Sequence, residues 1–125
     1  MPGTTYTIAM LAKKIRSMGY AMKGLWIAFK EEHNFRFELM AALIAVALGW
    51  YLKISPLEWL FIVVAIGLVL TAEVFNTALE ELCDMLRQTH DPHVAKIKDL
   101  SAAAVFLVAI TALIIGCSIF IPHLI

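Results

Sequence analysis

Three long apolar segments, at about residues 36–52, 57–80 and 100–121, restrict this chain to a membrane fold. Of its 125 residues, 62% are hydrophobic, and the mean hydropathy is +0.84. A water-soluble domain of this size cannot bury that much apolar surface. We therefore predict one all-α membrane domain, residues 1–125, with three transmembrane helices.

The segment before the first span, residues 6–31, predicts a helix of a different kind. Apolar side chains recur there at steps of three and four residues, and the basic side chains lie off that stripe. This pattern is typical of an amphipathic helix that lies on a membrane surface. Between the second and third spans, residues 86–97 predict a polar loop with Asp91-Pro92 as its turn signal.

The basic residues are distributed unevenly around the predicted spans. Nine of the ten precede the first long apolar run or lie between the second and third, and Lys53 alone lies between the first and second. The positive-inside rule then places the N-terminus in the cytoplasm and the C-terminus outside. The formal net charge is zero, so electrostatics give no argument for binding nucleic acid.

A polar stripe lies at the end of the second apolar segment and consists of Glu73, Asn76, Glu80 and Asp84. Steps of three, four and four residues put these side chains on one face of a helix. The apolar run before them carries a single charge, Glu58, at its far end. A carboxylate in hydrocarbon costs about 2.5–3.5 kcal/mol on insertion scales, so three on one face require a partner. The stripe is predicted to run from lipid depth into cytoplasmic water, where a membrane reactant and a soluble one could meet.

The residue types near this interface suit phosphoryl transfer. Carboxylate and amide oxygens are suitable ligands for Mg²⁺, lysine can hold phosphate, and a carboxylate can act as a general base. The sequence contains no GxxxxGK[ST] phosphate loop, no GxGxxG and no HExxH. Three spans do not easily enclose a polar pocket, so we expect an oligomer.

Two other classes of protein remain open on the residues alone. A small cation channel or transporter also places carboxylates near a pore, although here the outer half of each predicted span is apolar. An accessory subunit would use Asn76 and the small residues of the third span for helix packing. That second alternative leaves the three carboxylates without a function.

The polar stripe and its flanks resemble the small bacterial membrane diacylglycerol kinase family, which also contains undecaprenol kinases. The family motif E-x-x-N-[ST]-[SA]-[ILV]-E-x-x-x-D matches residues 73–84 without a departure. Shorter family stretches match at residues 19–25 (GYAMKGL), 32–38 (EHNFRFE) and 98–104 (KDLSAAA). The resemblance covers residues 8–121.

The resemblance implies a homotrimer in the bacterial inner membrane, with three transmembrane helices and an N-terminal surface helix in each chain. It implies transfer of the γ-phosphate of ATP, with Mg²⁺ as cofactor, to a lipid hydroxyl at the cytoplasmic interface. Diacylglycerol is the expected acceptor, and undecaprenol is the alternative.

The resemblance also implies roles for individual residues. By position, Glu73 would be the general base, Asn76 and Asp84 would support the reacting groups, and Glu32 and Glu80 would hold Mg²⁺. The nucleotide would contact Tyr20, Lys98, Asp99 and Lys13, the last at a position where some members have arginine. The lipid would contact Lys23, Arg36, Glu38 and Ala102, the last replacing a serine found in some relatives. Residues 86–97 depart from the family pattern, so no adenine contact is assigned there.

Overall fold

The computed structural model of this protein describes residues 2–86 and 91–125, which form four α-helices. The helices are α1 (Pro2–Glu31), α2 (His33–Leu52), α3 (Pro56–Leu86) and α4 (Pro92–Leu124). The described residues contain no β-strand, so the predicted all-α class is confirmed.

The chain divides into two compact units, Met1–Glu32 and His33–Ile125. The first unit contains α1, a helix of 30 residues, which includes the helix predicted at 6–31. Large apolar side chains along α1, such as Ile8, Ile15 and Met22, are exposed. This exposure fits a helix that rests on lipid, and its position on a membrane surface stays a prediction.

The second unit contains α2, α3 and α4, which are each long and apolar enough to cross a bilayer. Their most apolar stretches have mean hydropathies of 1.6, 2.1 and 2.8 respectively. Many large apolar side chains on these helices are exposed, among them Trp50 at 82% and Phe106 at 63%. Apolar surface of this extent is stable against lipid and unfavourable in water, so this unit is a membrane domain.

Helices α3 and α4 pack against each other antiparallel along their length, and α2 packs mainly on α3. Three side-chain contacts mark the register between α3 and α4: Asp84 with Lys98, Asn76 with Ser101, and Glu58 with His123. Near the last of these contacts, Ile54, Ile62 and Ile119 form a buried apolar cluster. The register therefore brings the polar stripe of α3 beside the first turns of α4.

A tight turn joins α2 to α3, and backbone hydrogen bonds close the end of α2. The Ile54 N–H donates to the Gly49 carbonyl at 3.2 Å, and the Lys53 N–H donates to the Trp50 carbonyl at 3.3 Å. This is the Schellman pattern, which requires a residue in the left-handed region, and Lys53 has a φ of 53°. The short turn makes α2 and α3 neighbours.

The start of α3 is held by a reciprocal capping box. The Ser55 backbone N–H donates to Glu58 Oε1 at 2.9 Å, and the Glu58 N–H donates to Ser55 Oγ at 3.2 Å. Pro56 takes the first helical position, which suits a residue without a backbone N–H. Glu58 also lies 3.1 Å from His123 Nε2, so the charge at the far end of the apolar segment links α3 to the end of α4.

Gly49 lies where the turn closes, and we expect that position to reject a side chain. A Cβ there would lie 3.0 Å from both Ile54 Cδ1 and Trp59 Cη2. Gly49→Leu should therefore lower the free energy of unfolding by about 1–3 kcal/mol through overpacking, measured by denaturant titration in micelles. Gly67→Leu is the matched control, because a Cβ at Gly67 meets nothing within 4 Å. Equal stability of the two variants would contradict this account of the turn.

The loop predicted at residues 86–97 is wrong for residue 86, which ends α3, and for residues 92–97, because α4 begins at Pro92. Asp91 caps that helix, and its Oδ1 accepts a hydrogen bond from the His93 N–H at 2.8 Å. Proline at the first helical position is favoured, since its missing N–H is not needed there. The Asp-Pro pair that indicated a turn is therefore a helix start. Residues 87–90 of the predicted loop lie outside the described residues.

Candidate active site

The polar stripe of α3 changes steadily from buried to exposed along the helix. Glu73 is only 3% exposed, Asn76 and Glu80 are half-buried, and the Asp84 side chain is 67% exposed. The helical spacing of these residues keeps them on one face, as the sequence predicted. The stripe therefore runs from a buried position within the second unit, at Glu73, to an exposed position, at Asp84.

Asn76 contacts α4 through a residue that the sequence analysis missed. The hydroxyl of Ser101 donates a hydrogen bond to Asn76 Oδ1 at 2.7 Å, and Ser101 is 6% exposed. Beside this contact, the Thr77 hydroxyl donates to the Glu73 carbonyl at 2.9 Å. Ser101 follows Lys98 by three residues, so helical spacing could have placed it on the same face as that predicted site residue.

Lys98 and Asp84, which the sequence predicted as separate site residues, form an ion pair. The Lys98 Nζ lies 3.2 Å from Asp84 Oδ1, and the two side chains are 45% and 67% exposed. An exposed pair of this kind contributes about 0–1 kcal/mol to stability, so little energy opposes its opening. Lys98 is accessible to a phosphate group from this position.

Two more predicted site residues lie near Lys98 on α4 and are both exposed. Asp99 follows Lys98 directly, and Ala102 lies one helical turn further along, next to Ser101. On α2, Arg36 is exposed in the first turn, whereas Glu38 is half-buried. These residues all belong to the second unit, and their predicted contacts to nucleotide or lipid stay predictions.

The remaining predicted site residues belong to the first unit. Lys13, Tyr20 and Lys23 lie on α1, where all three are exposed, and Glu32 directly follows that helix. Lys13 and Lys14 line a shallow groove on this helix together with Tyr6 and Ser17. Joint action of these residues with the stripe of α3 stays a prediction.

An apolar groove of about 510 Å³ runs between α3 and α4 beside the stripe. Among the described residues that line it, three are polar: Thr71, Asn76 and Ser101. A second apolar groove, of about 340 Å³, lies among α2, α3 and α4 and includes Glu38 in its lining. Apolar grooves with a few polar groups suit a ligand that is mostly hydrocarbon.

The donor groups of the stripe fit Mg²⁺ by their chemistry. Glu80 supplies carboxylate oxygens, which hard divalent cations prefer. No cluster of three or more His, Cys, Asp or Glu side chains close enough to hold an ion occurs within residues 2–86 and 91–125. In kinase sites Mg²⁺ is usually bound by one or two carboxylates together with substrate phosphates, so such a cluster is not required.

Sequence similarity connects this arrangement to known proteins. Residues 19–120 match the family described as prokaryotic diacylglycerol kinase. The undecaprenol kinase of Bacillus subtilis (strain 168) is 34% identical over 114 residues, which is 91% of this chain and 93% of the relative. The diacylglycerol kinase of Escherichia coli (strain K12) is 30% identical over 109 residues, or 87% of this chain and 89% of the relative. The diacylglycerol kinase of Haemophilus influenzae is 30% identical over 102 residues, or 82% and 86% respectively.

Proposed function

The chain belongs to the prokaryotic diacylglycerol kinase family, and we propose that this membrane lipid kinase transfers the γ-phosphate of ATP to a lipid hydroxyl at the cytoplasmic face of the bacterial inner membrane. The position of Glu73 carries the proposal. Glu73 is a buried carboxylate one helical turn from Asn76, and Asn76 lines an apolar groove. A channel or an accessory subunit leaves both this family membership and the matched motif unexplained.

Glu73 is proposed as the general base of the reaction. The lipid hydroxyl transfers its proton to the Glu73 carboxylate while its oxygen forms a bond to the γ-phosphorus of ATP. The bond between that phosphorus and the β,γ-bridging oxygen breaks, and ADP leaves. Little further covalent chemistry is needed, so catalysis is mainly positioning and charge stabilisation.

Glu32 and Glu80 are proposed to hold Mg²⁺ together with the nucleotide phosphates. When bound, the ion would supply positive charge against the phosphate oxygens. Asp84 keeps Lys98 at the end of the stripe until a phosphate takes its place as the partner of the ammonium group. Tyr20, Asp99 and Lys13 complete the proposed nucleotide contacts, although Lys13 lacks the bidentate donor fork of arginine.

The lipid is proposed to reach Glu73 sideways from the bilayer. The apolar grooves beside Asn76 and Glu38 support this route, because a hydrocarbon chain can occupy them without losing contact with apolar surface. Lys23, Arg36, Glu38 and Ala102 are the proposed contacts for the lipid. The catalytic unit is proposed to be a homotrimer, as the family resemblance implies. Three spans in one chain do not easily shield a polar site from lipid, which supports an oligomer of some kind.

Diacylglycerol is the proposed acceptor, and undecaprenol is the second candidate because the relative that is 34% identical is an undecaprenol kinase. Purified protein in mixed micelles should be offered each lipid with the same Mg-ATP concentration. We expect a higher kcat/KM for diacylglycerol, with phosphatidic acid as the product. The opposite ranking would assign the chain to undecaprenol, and no phosphorylation of either lipid would contradict the proposed reaction.

Lys98→Met should raise the KM for ATP by about 10–100-fold, the range for losing a hydrogen bond to a charged group. The reason is that Lys98 is proposed to donate to the nucleotide phosphates. Lys96→Met is the matched control, because Lys96 is an exposed lysine of α4 two residues away and faces another direction. Initial rates over a series of ATP concentrations give the KM for ATP of both variants. An unchanged KM in the Lys98 variant would remove Lys98 from the nucleotide site.

A further inference from the structure

We propose that Ser101 is a positioning residue, which orients the carboxamide of Asn76 so that its NH₂ group faces the reacting groups as a hydrogen-bond donor. The inference rests on the proposed function, because it gives Asn76 a defined part in phosphoryl transfer. It concerns a contact between α3 and α4 that joins residues 25 positions apart in the chain.

The Ser101 hydroxyl behaves differently from other hydroxyls in these helices. Those of Thr7, Ser17, Thr77 and Thr111 each donate to the backbone carbonyl four residues earlier in their own helix. The Ser101 hydroxyl instead donates across to Asn76 Oδ1 at 2.7 Å. Because Ser101 is 6% exposed, water does not readily replace Asn76 as the acceptor. The contact therefore fixes the side chain of Asn76 relative to α4.

The direction of this hydrogen bond determines which end of the amide is available for chemistry. A carboxamide has one oxygen acceptor and two N–H donors, and here the oxygen accepts from Ser101. The NH₂ group then projects away from Ser101. Asn76 lies one helical turn from both Glu73 and Glu80, so donors at this position can reach a phosphate oxygen or the lipid hydroxyl. The contact favours a donor role for Asn76 over a role as an oxygen ligand of Mg²⁺.

Variants of Asn76 distinguish these two roles. Aspartate has nearly the same shape as asparagine and keeps two oxygens but has no N–H donor when ionised. The proposal predicts that Asn76→Asp loses most of the kcat and does not lower the Mg²⁺ concentration needed for half-maximal rate. If Asn76→Asp instead keeps wild-type kcat, or needs less Mg²⁺, the donor role is wrong.

Variants of Ser101 test the positioning role by kinetics on the full-length protein in mixed micelles. Ser101→Ala should lower kcat about tenfold, the effect of about one hydrogen bond, with the KM values for ATP and lipid changed less than about twofold. Ser101→Thr, which keeps a hydroxyl, should recover most of the lost kcat. Ser118→Ala is the matched control, since Ser118 is an exposed serine of the same helix, and it should leave kcat unchanged.

A double-mutant comparison separates positioning from general damage to the fold. If Ser101 acts only through Asn76, adding Ser101→Ala to Asn76→Ala should lower kcat no further. Two losses that multiply would show that Ser101 acts elsewhere, and would overturn the proposal. Wild-type kcat in Ser101→Ala would overturn it as well.

The carboxamide can also be observed directly, without any enzymatic readout. The chain contains two asparagines, Asn34 and Asn76, so selective ¹⁵N-asparagine labelling gives two side-chain NH₂ signals, which the Asn34→Ala variant assigns. Ser101→Ala should shift the Asn76 signals and leave those of Asn34 in place. Unmoved Asn76 signals would contradict the contact itself. A wild-type protein that phosphorylates neither lipid would overturn the proposed function and the catalytic use of this contact, whatever the spectrum shows.

Discussion

Glu73→Gln should remove nearly all lipid kinase activity while the protein stays folded. Glutamine keeps the size of the side chain and its ability to form hydrogen bonds, but it cannot accept the proton of the lipid hydroxyl. Because general base catalysis contributes about 10²–10⁴-fold, kcat should fall by an amount in that range. The measurement is the initial rate of phospholipid formation from Mg-ATP, alongside helical content and elution volume as tests of folding.

The control for Glu73→Gln is Glu81→Gln. Glu81 is an exposed glutamate of the same helix, so its replacement makes the same chemical change away from the proposed site. We expect the Glu81 variant to keep wild-type activity. A folded Glu73 variant that retains most of the wild-type kcat would show that another group takes the proton.

Glu80→Gln should either abolish turnover or raise the Mg²⁺ concentration needed for half-maximal rate. Glu80 is a half-buried carboxylate two helical turns from Glu73, and it is proposed to hold the ion against the nucleotide phosphates. The required Mg²⁺ concentration should rise at least about tenfold. Replacing even a residue that only hydrogen-bonds to a metal ligand typically lowers metal affinity by about 10–100-fold. A Mg²⁺ titration at saturating ATP measures it.

Glu32→Gln provides a second test of the same metal site. If Glu32 and Glu80 share one ion, both variants should show the same kind of change in Mg²⁺ dependence, and Glu81→Gln should show none. A Mg²⁺ dependence of Glu80→Gln equal to that of the wild type would exclude Glu80 as a ligand.

The sequence predicted the fold class correctly because the apolar segments are long and contain few charges. Residues 57–80 lie inside α3 and residues 100–121 inside α4, so periodicity and hydropathy located these helices. It failed at Asp91-Pro92, which favours a turn and a helix start equally well. The hydrogen bond from the Ala95 N–H to the Asp91 carbonyl, at 3.2 Å, is the first of α4 and distinguishes the helix start from a turn.

The capping box at the start of α3 is a local feature that can be predicted from the sequence. Ser55 and Glu58 have the S-x-x-E spacing directly before an apolar run. The structure shows that Glu58 makes this cap and also contacts His123, 65 residues away in the chain. The cap is local and predictable from the sequence, whereas the contact with His123 depends on how α3 and α4 pack.

In the candidate site, too, local spacing could be predicted from the sequence and contacts between helices could not. Helical spacing alone placed Glu73, Asn76, Glu80 and Asp84 on one face, and the structure agrees. The pairing of Asn76 with Ser101 required the register between α3 and α4, which side-chain packing sets and a single sequence does not reveal. The ion pair between Lys98 and Asp84 depends on that register in the same way.

Label from γ-³²P-ATP follows the proposed transfer of a phosphoryl group from ATP to a membrane lipid. Purified protein with Mg-ATP should be incubated in micelles with and without lipid acceptor, beside the Glu73→Gln variant. We expect one labelled phospholipid to form for each ADP, only when the lipid is present, and almost none with the variant. Release of labelled inorganic phosphate with no label in lipid, or equal labelling by the variant, would contradict it.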